Sequence, residues 1–561
     1  MMSAAGSSTH NASPRIADWL WFFGCALASS VWCVTAARQL SATFDEPLYI
    51  ARGLECWRTG THSGLMKLGT MPLPVDLFTL PLYVWERWHG VRLDPVSDFQ
   101  HLLPWARAGT LVFWWVLLGY GWLAGRSLAG RWGGRLAVAF LACEPTLLAH
   151  AGLATTDIAV SACLLALVYH FRTAREAGWL RRVGVPTLWF AATVLAKASG
   201  LVFGPLCLFA VEIDRRMHSG AVTDRLRPFR RDVAQVIGFG LVAVFVYCGS
   251  DWQREASFVA WAHALPDGVL GRGMVWVAEH LRIFSNAGEG VARQIKHNLR
   301  AEGGHWAYLL GEVRRAFWYY FPLALTIKLS LPLLAMPVVL AALRPRLLVN
   351  WANLAAAALL ISSLTMRVQI GVRLVLPLIS LAVVGMAAAA VQACSEYAPG
   401  WRRQTLTAAL GIGVVWTAVA AASVWPHGLC YTNELWGGTP HGYLYLSDSN
   451  YDWGQGLKEL ASWQRQHGPV PLDVWYFGTD PLVETLPMRT MPLHVLPMNG
   501  SSDIIAQVHG HYLAASVTFL YGAAVTDAHR QAAAFLRTRR PIDRTVTFFL
   551  YDFTHGDGSE Q

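Results

Sequence analysis

Residues Leu374–Ala393 read LVLPLISLAVVGMAAAAVQA, an apolar run of twenty with no charge, opened by Arg373 and followed after a short gap by Arg402 and Arg403. A helix needs about 20 apolar residues to cross the hydrocarbon core of a bilayer. Comparable runs recur at Trp19–Ala37, Ala108–Gly125, Val233–Gly249, Phe317–Leu343, Val349–Met366 and Thr405–Val424. Between Leu136 and Ile213 lie four shorter ones, Leu136–Ala149, Asp157–Phe171, Val183–Ala196 and Gly200–Ile213, whose short polar connections suit two antiparallel helix pairs. The expectation is a polytopic α-helical membrane protein with about eleven spans. Trp19–Ala37 reads as a retained helix, because its apolar run is long for a cleaved signal and only Arg15 precedes it.

Composition agrees. Of 561 residues 54% are hydrophobic and 14% charged, against about 25% charged in soluble domains. The net charge of +9 rests on 40 Arg and five Lys. The Arg residues cluster between apolar runs, which is the membrane pattern and not a nucleic-acid surface. With the N-terminus placed inside, the inner segments 1–18, 126–135, 172–182, 214–232, 344–348 and 394–404 hold eighteen Arg, while the three short outer loops hold only Lys197, Arg367 and Arg373. That asymmetry predicts a cytoplasmic N-terminus and an extracytoplasmic C-terminus; the expected location is the inner (plasma) membrane. Two domains are expected: 1–425, a transmembrane catalytic unit with large outer loops 38–107 and 250–316, and 426–561, a small extracytoplasmic α/β domain. The second reading comes from strand-like runs at Leu472–Phe477, Tyr512–Leu520 and Val546–Phe553 beside helical runs at Gln455–Gln466 and Asp527–Thr538. Nine cysteines show no CxxC pair and no His and carboxylate cluster has ligand spacing, so no metal is expected; a Cys56–Cys430 disulfide is one possibility.

Charges near a bilayer are costly and mark function. Asp45 and Glu46 follow the first span, and Glu46 has the position to cap a helix opened by Pro47. The run from Glu144 through His150 leads to Thr155, Thr156 and Asp157, which would cap the next span and place Asp157 on the face of Asp45. Lys328 lies twelve positions into a span and Arg373 opens another; an anionic headgroup or a buried carboxylate would satisfy either one. Carboxylates beside cations suit a lipid-phosphate donor, with a base for an acceptor hydroxyl and cations for the phosphate. A transporter or flippase for a lipid-linked or polar substrate is the competing class, although no paired repeats are visible.

These motifs, taken together, resemble bacterial members of glycosyltransferase family 39, the protein O-mannosyltransferase-like branch of the GT-C membrane glycosyltransferases. The resemblance spans most of the chain. It is carried by Asp45 and Glu46 with Tyr49, Gly53, Trp57 and Gly60; by Pro145–His150 leading to Asp157; by Tyr320-Phe321-Pro322 to Lys328; by Gly371 to Pro377; and by Asp448–Gln455. It implies inverting sugar transfer from a polyprenyl-phosphate-sugar at the outer membrane face, without a cofactor and to an acceptor the sequence does not name. It implies that Asp45 is the base, with Asp157 nearby; Glu46 is a further catalytic candidate, Arg373 and Lys328 are read from charge and position as donor-phosphate contacts, and Glu144, His150, Asp452 and Gln455 are the other candidates. Where the family often has His-Pro-Pro-Leu, this chain has Met71-Pro72-Leu73-Pro74.

Overall fold

Small residues let the apolar helices approach closely. Phe99–Cys143 runs as one long helical element, yet it turns at Ala129 and Gly130, and Gly130 takes a φ of 66° that favours glycine. The two arms fold back on each other: a side chain on Gly125 would collide with the Gly133 carbonyl, and one on Gly134 with Trp122. The hairpin therefore depends on glycine at its tip and along its seam. Around it pack Ile16–Gln39, Asp157–Thr173 and Val372–Glu396, forming the main apolar core.

The computed structural model describes residues 15–219, 226–299, 306–468, 470–496, 501–524 and 526–554. Residues 1–14 and Arg225, which the charge count uses, lie outside these. Each of the eleven apolar stretches is helical over most of its length. Five helices among the described residues are long and apolar enough to cross a membrane: Ile16–Gln39, Phe99–Cys143, Arg227–Cys248, Val372–Glu396 and Trp401–Ser423. The stretch expected as the single span Phe317–Leu343 is instead two helices, Tyr320–Lys328 and Leu331–Leu343, bent by 113°. Pro332, at the start of the second helix, has no N–H to continue the first. The run Leu136–Ala149 likewise breaks where Pro145 starts a separate short helix, Pro145–Ala151.

The loop between the first span and the hairpin holds Glu46–Thr59, Ser63–Met66 and Pro72–His89. The loop after Cys248 holds Ala256–His263, Val269–His280, Ser285–Leu299 and a hairpin of β1 (Ala307–Leu309) and β2 (Glu312–Arg314). The tail opens with short 3-10 turns from Gly428 to Asn450, followed by Leu457–Gln466. A five-stranded sheet then combines β3 (Leu472–Trp475), β4 (Arg489–Thr490), β5 (Tyr512–Ser516), β6 (Asp543–Arg544) and β7 (Phe548–Asp552) in the order β4-β3-β5-β7-β6. Strand β3 is parallel to β4 and β5, and β7 is antiparallel to β5 and β6. Alternation along the strands fills both faces: Leu472, Val474, Phe548 and Leu550 on one, Trp475, Leu513, Phe549 and Tyr551 on the other. The expected strand Tyr512–Leu520 stops at Ser516, where Val517–Tyr521 turns into a helix. Cys56 and Cys430 are both free thiols; Cys430 donates to the Tyr451 carbonyl, so no disulfide joins them.

Candidate active site

Four side chains from four separate segments meet in one charged chain, Asp45–Arg373–Asp157–Lys197. Arg373 Nη1 lies 2.8 Å from Asp45 Oδ2 and 4.0 Å from Asp157 Oδ2, and Lys197 Nζ lies 2.5 Å from Asp157 Oδ1. Asp45 stands just before Glu46–Thr59, Asp157 opens Asp157–Thr173, Lys197 follows Val185–Ala196, and Arg373 lies in the turn that opens Val372–Glu396. The Trp453 ring covers the Arg373 guanidinium at 4.1 Å from its centroid, a cation–π contact worth about 0.5–2 kcal/mol.

The charged chain has open valences. Asp157 is fully buried, yet among the described residues its Oδ2 has no hydrogen-bond partner, and neither has Arg373 Nε. Asp45 keeps 23% of its side chain exposed. Besides Arg373, its carboxylate has among the described residues only the Tyr49 hydroxyl, at 3.5 Å. Two carboxylates bridged by one arginine, with an unused N–H and a reachable oxygen, can hold an anion and accept a proton.

The tail fixes this geometry. Gly371 has a φ of 142°, and a side chain there would strike Ser449. Ser449 Oγ donates to the Ile370 carbonyl, and Asn450 Oδ1 accepts from the Val372 N–H at 2.9 Å. Asp452 and Gln455 brace the loop that presents Trp453. Asp452 accepts from the N–H groups of Gly454 and Thr518, while Gln455 accepts from the Trp453 N–H and donates to the Tyr451 carbonyl. Phe44 N–H donates to the Trp453 carbonyl and Ser41 N–H to that of Gln455, so the same loop holds the segment leading into Asp45. Burial raises the carboxyl of Asp448 to about 6 and that of Asp452 to about 7.

The other sequence candidates take supporting positions around this cluster or beyond it. Glu46 does not cap its helix. Both its oxygens are taken by Arg107, the Thr43 N–H and hydroxyl, and the Ala154 N–H, all fully buried. The Lys328 ammonium donates to the carbonyls of Leu429, Tyr431 and Asn450 at 2.7, 2.5 and 2.8 Å. An ammonium has three N–H groups, so none is left for the expected phosphate. Glu144 caps Pro145–Ala151 by accepting from the Leu147 N–H. The ring of His150 lies 6.4 Å from that of Trp453, with Nδ1 buried and without a hydrogen-bond partner. Thr156 stands at the N-cap of Asp157–Thr173 but makes no side-chain cap bond, and the Asp157 carboxylate pairs with Lys197. Met71, where the family pattern has His, is buried beside Met66. Lys197 was missed as a site residue. As one cation in a short loop it stood out only as the lysine there, in a chain with five.

No family model matches the chain, and no curated protein does. Among solved structures it is similar to ArnT from Cupriavidus metallidurans bound to undecaprenyl phosphate, at 15% identity over 96% of this chain and 98% of that one, with a TM-score of 0.43. The apo state of ArnT gives 14% identity over 95% and 98%, with a TM-score of 0.30. The S. cerevisiae protein O-mannosyltransferase Pmt1-Pmt2 complex bound to the sugar donor gives 15% over 47% and 38%, with a TM-score of 0.34. All three TM-scores are under 0.5, so the likeness carries no weight in the reading of the site.

Proposed function

We propose that this protein is a membrane glycosyltransferase of the GT-C type. It moves a sugar, with inversion, from a polyprenyl-phosphate-sugar to an acceptor hydroxyl at the outer face of an inner (plasma) membrane. The observation that carries the reading is the Asp45–Arg373–Asp157–Lys197 chain of charges, with Arg373 Nε unpaired among the described residues and Asp45 partly exposed. Asp45 is the general base: it takes the acceptor proton as the new glycosidic bond forms and the bond to phosphate breaks. Arg373 and Lys197 hold the departing polyprenyl phosphate, whose charge grows as it leaves. Donor phosphate competes with Asp45 for Arg373, so its arrival frees a carboxylate oxygen for the acceptor. Asp157 anchors both cations. Residues 1–425 form the catalytic unit with eleven crossings, and 426–561 a domain that covers the site and positions the acceptor.

The bent pair Tyr320–Lys328 and Leu331–Leu343 would suit a transporter, where broken helices line the substrate path. Here the break is stapled. Asn433 donates to the Thr326 and Leu329 carbonyls and, through its backbone, to Ile327, while Lys328 holds the tail. That favours an immobile joint over a gate. The test is release of polyprenyl phosphate from a polyprenyl-phosphate-sugar by purified protein, given a mixture of candidate acceptors. Release by the parent and its loss in Asp45→Asn support the enzyme; substrate uptake into vesicles without release would overturn it.

A further inference from the structure

A second cluster of reactive side chains lies at the far end of the helix that begins after Asp45. Cys56 is in the last turn of Glu46–Thr59, His62 follows in the next turn, and Asp76 lies near the start of Pro72–His89. The Cys56 Sγ, a His62 ring nitrogen and an Asp76 carboxylate oxygen all lie within 4.8 Å of one another. Residues 6 and 14 apart on two helices and a turn give no ligand spacing in the sequence; the fold assembles them.

Three observations go beyond proximity. First, Asp76 Oδ1 is buried and has no hydrogen-bond partner, although the side chain is only 7% exposed. An unpaired buried carboxylate oxygen is costly. Second, His62 Nδ1 faces the Cys248 carbonyl at 3.2 Å while Nε2 faces Asp76 Oδ2 at 3.0 Å. A carbonyl accepts only, so Nδ1 carries the hydrogen. Nε2 then donates to the Asp76 carboxylate, and it is the ring nitrogen that a cation would take over by displacing its proton, with Nδ1 kept in place by the carbonyl. Third, the outer contacts hold the ligands in place: Tyr247 Oη lies 2.9 Å from Asp76 Oδ2, Trp57 Nε1 donates to the Asp76 carbonyl, and Asn286 donates to the Cys248 carbonyl.

We propose that Cys56, His62 and Asp76 form a binding site for one divalent cation of the zinc type, through a thiolate, an imidazole and a carboxylate. Zinc accepts this mixed donor set in four-coordinate geometry, with bonds of about 2.3 Å to sulfur and about 2.0–2.2 Å to nitrogen and oxygen. Such bonds set neighbouring ligand atoms roughly 3.3–3.8 Å apart, so a small opening of the His62–Asp76 pair admits the ion. Tyr247 or a water fills the fourth position. Cation binding requires the thiolate and an unprotonated ring nitrogen, so it releases protons. The ion would pin Glu46–Thr59 to Pro72–His89, stiffening the mount of Asp45, but the binding does not depend on sugar transfer.

The test uses the full-length protein in detergent, stripped with a chelator and titrated with zinc or cobalt(II). One zinc per chain is expected to survive desalting and to raise the thermal unfolding midpoint. Cobalt should give a thiolate charge-transfer band, seen in the parent without recourse to any variant. Cys56→Ala and His62→Ala should each lower zinc affinity by more than roughly a hundredfold, exceeding the usual loss from an outer partner. Cys248→Ser, which removes a thiol but keeps the carbonyl, should bind as the parent does. Absence of the cobalt band in the parent, or parental affinity in Cys56→Ala, would overturn the proposal.

Discussion

Asp45 and Glu46 are neighbours in sequence, both face an arginine, and the two pairs are built for different ends. Glu46 and Arg107 are sealed: side-chain exposure is 0% and 1%, and both carboxylate oxygens are saturated. Arg107 spends its remaining donors on the carbonyls of Ala37, Leu40 and Ser41, the turn that leaves the first span. Asp45 and Arg373 are left partly open, with one short contact, one unused guanidinium N–H and a neighbouring orphan oxygen on Asp157. A closed pair holds the chain in place; an open pair has capacity for a ligand. The difference shows that an acidic doublet should be read one residue at a time, by which valences remain.

The largest effect should separate the two pairs by activity. Asp45→Asn is expected to slow sugar transfer by about 10²–10⁴-fold, the usual worth of a general base, at an unchanged unfolding temperature. Parental turnover would break the contrast. Next in size is the opposite signature. Glu46→Gln should cost about 3–5 kcal/mol of stability by leaving the Arg107 charge buried and uncompensated; chemical denaturation in detergent reads this directly. Arg373→Ala should weaken donor binding about tenfold or more, from the roughly 1.5–3 kcal/mol of a charge-assisted contact. Lys328→Met should leave donor affinity unchanged in whatever fraction folds; binding of a labelled donor distinguishes the two cations.

The smallest effect is a pH slope. Burial raises the Asp452 carboxyl to about 7 from 3.8, so the folded state binds its proton more tightly than the unfolded chain does. The associated stability is complete below about pH 4 and is lost as pH rises toward 7. Asp452→Asn should flatten this part of the unfolding-temperature profile; an unaltered slope would assign it to other groups, Asp448 first.

Helices were legible because hydropathy is a local, one-dimensional signal. Every apolar stretch became helical, and Asp45, Asp157 and Arg373 came together as their shared position at span ends implied. What failed depended on partners remote in sequence. Glu46 looked like a cap because Arg107, 61 residues on, gives no hint of its target. Lys328 looked like a phosphate ligand because its real partners are backbone carbonyls, which leave no trace in side-chain identity. The bend after Lys328 was hidden because apolar character continues across it, and proline within an apolar run reads as a kink as readily as a corner.

The Lys328 contacts also impose a timetable. Its three acceptors come 101, 103 and 122 residues later in the chain. At about 5–20 residues per second of synthesis, the ammonium waits roughly 5–25 s before Asn450 is made. During that wait the Lys328 ammonium has none of the three carbonyls that hold it in the finished fold. The helix is therefore expected to take its place last, drawn in as the tail arrives, so that completion of the site coincides with completion of the polypeptide.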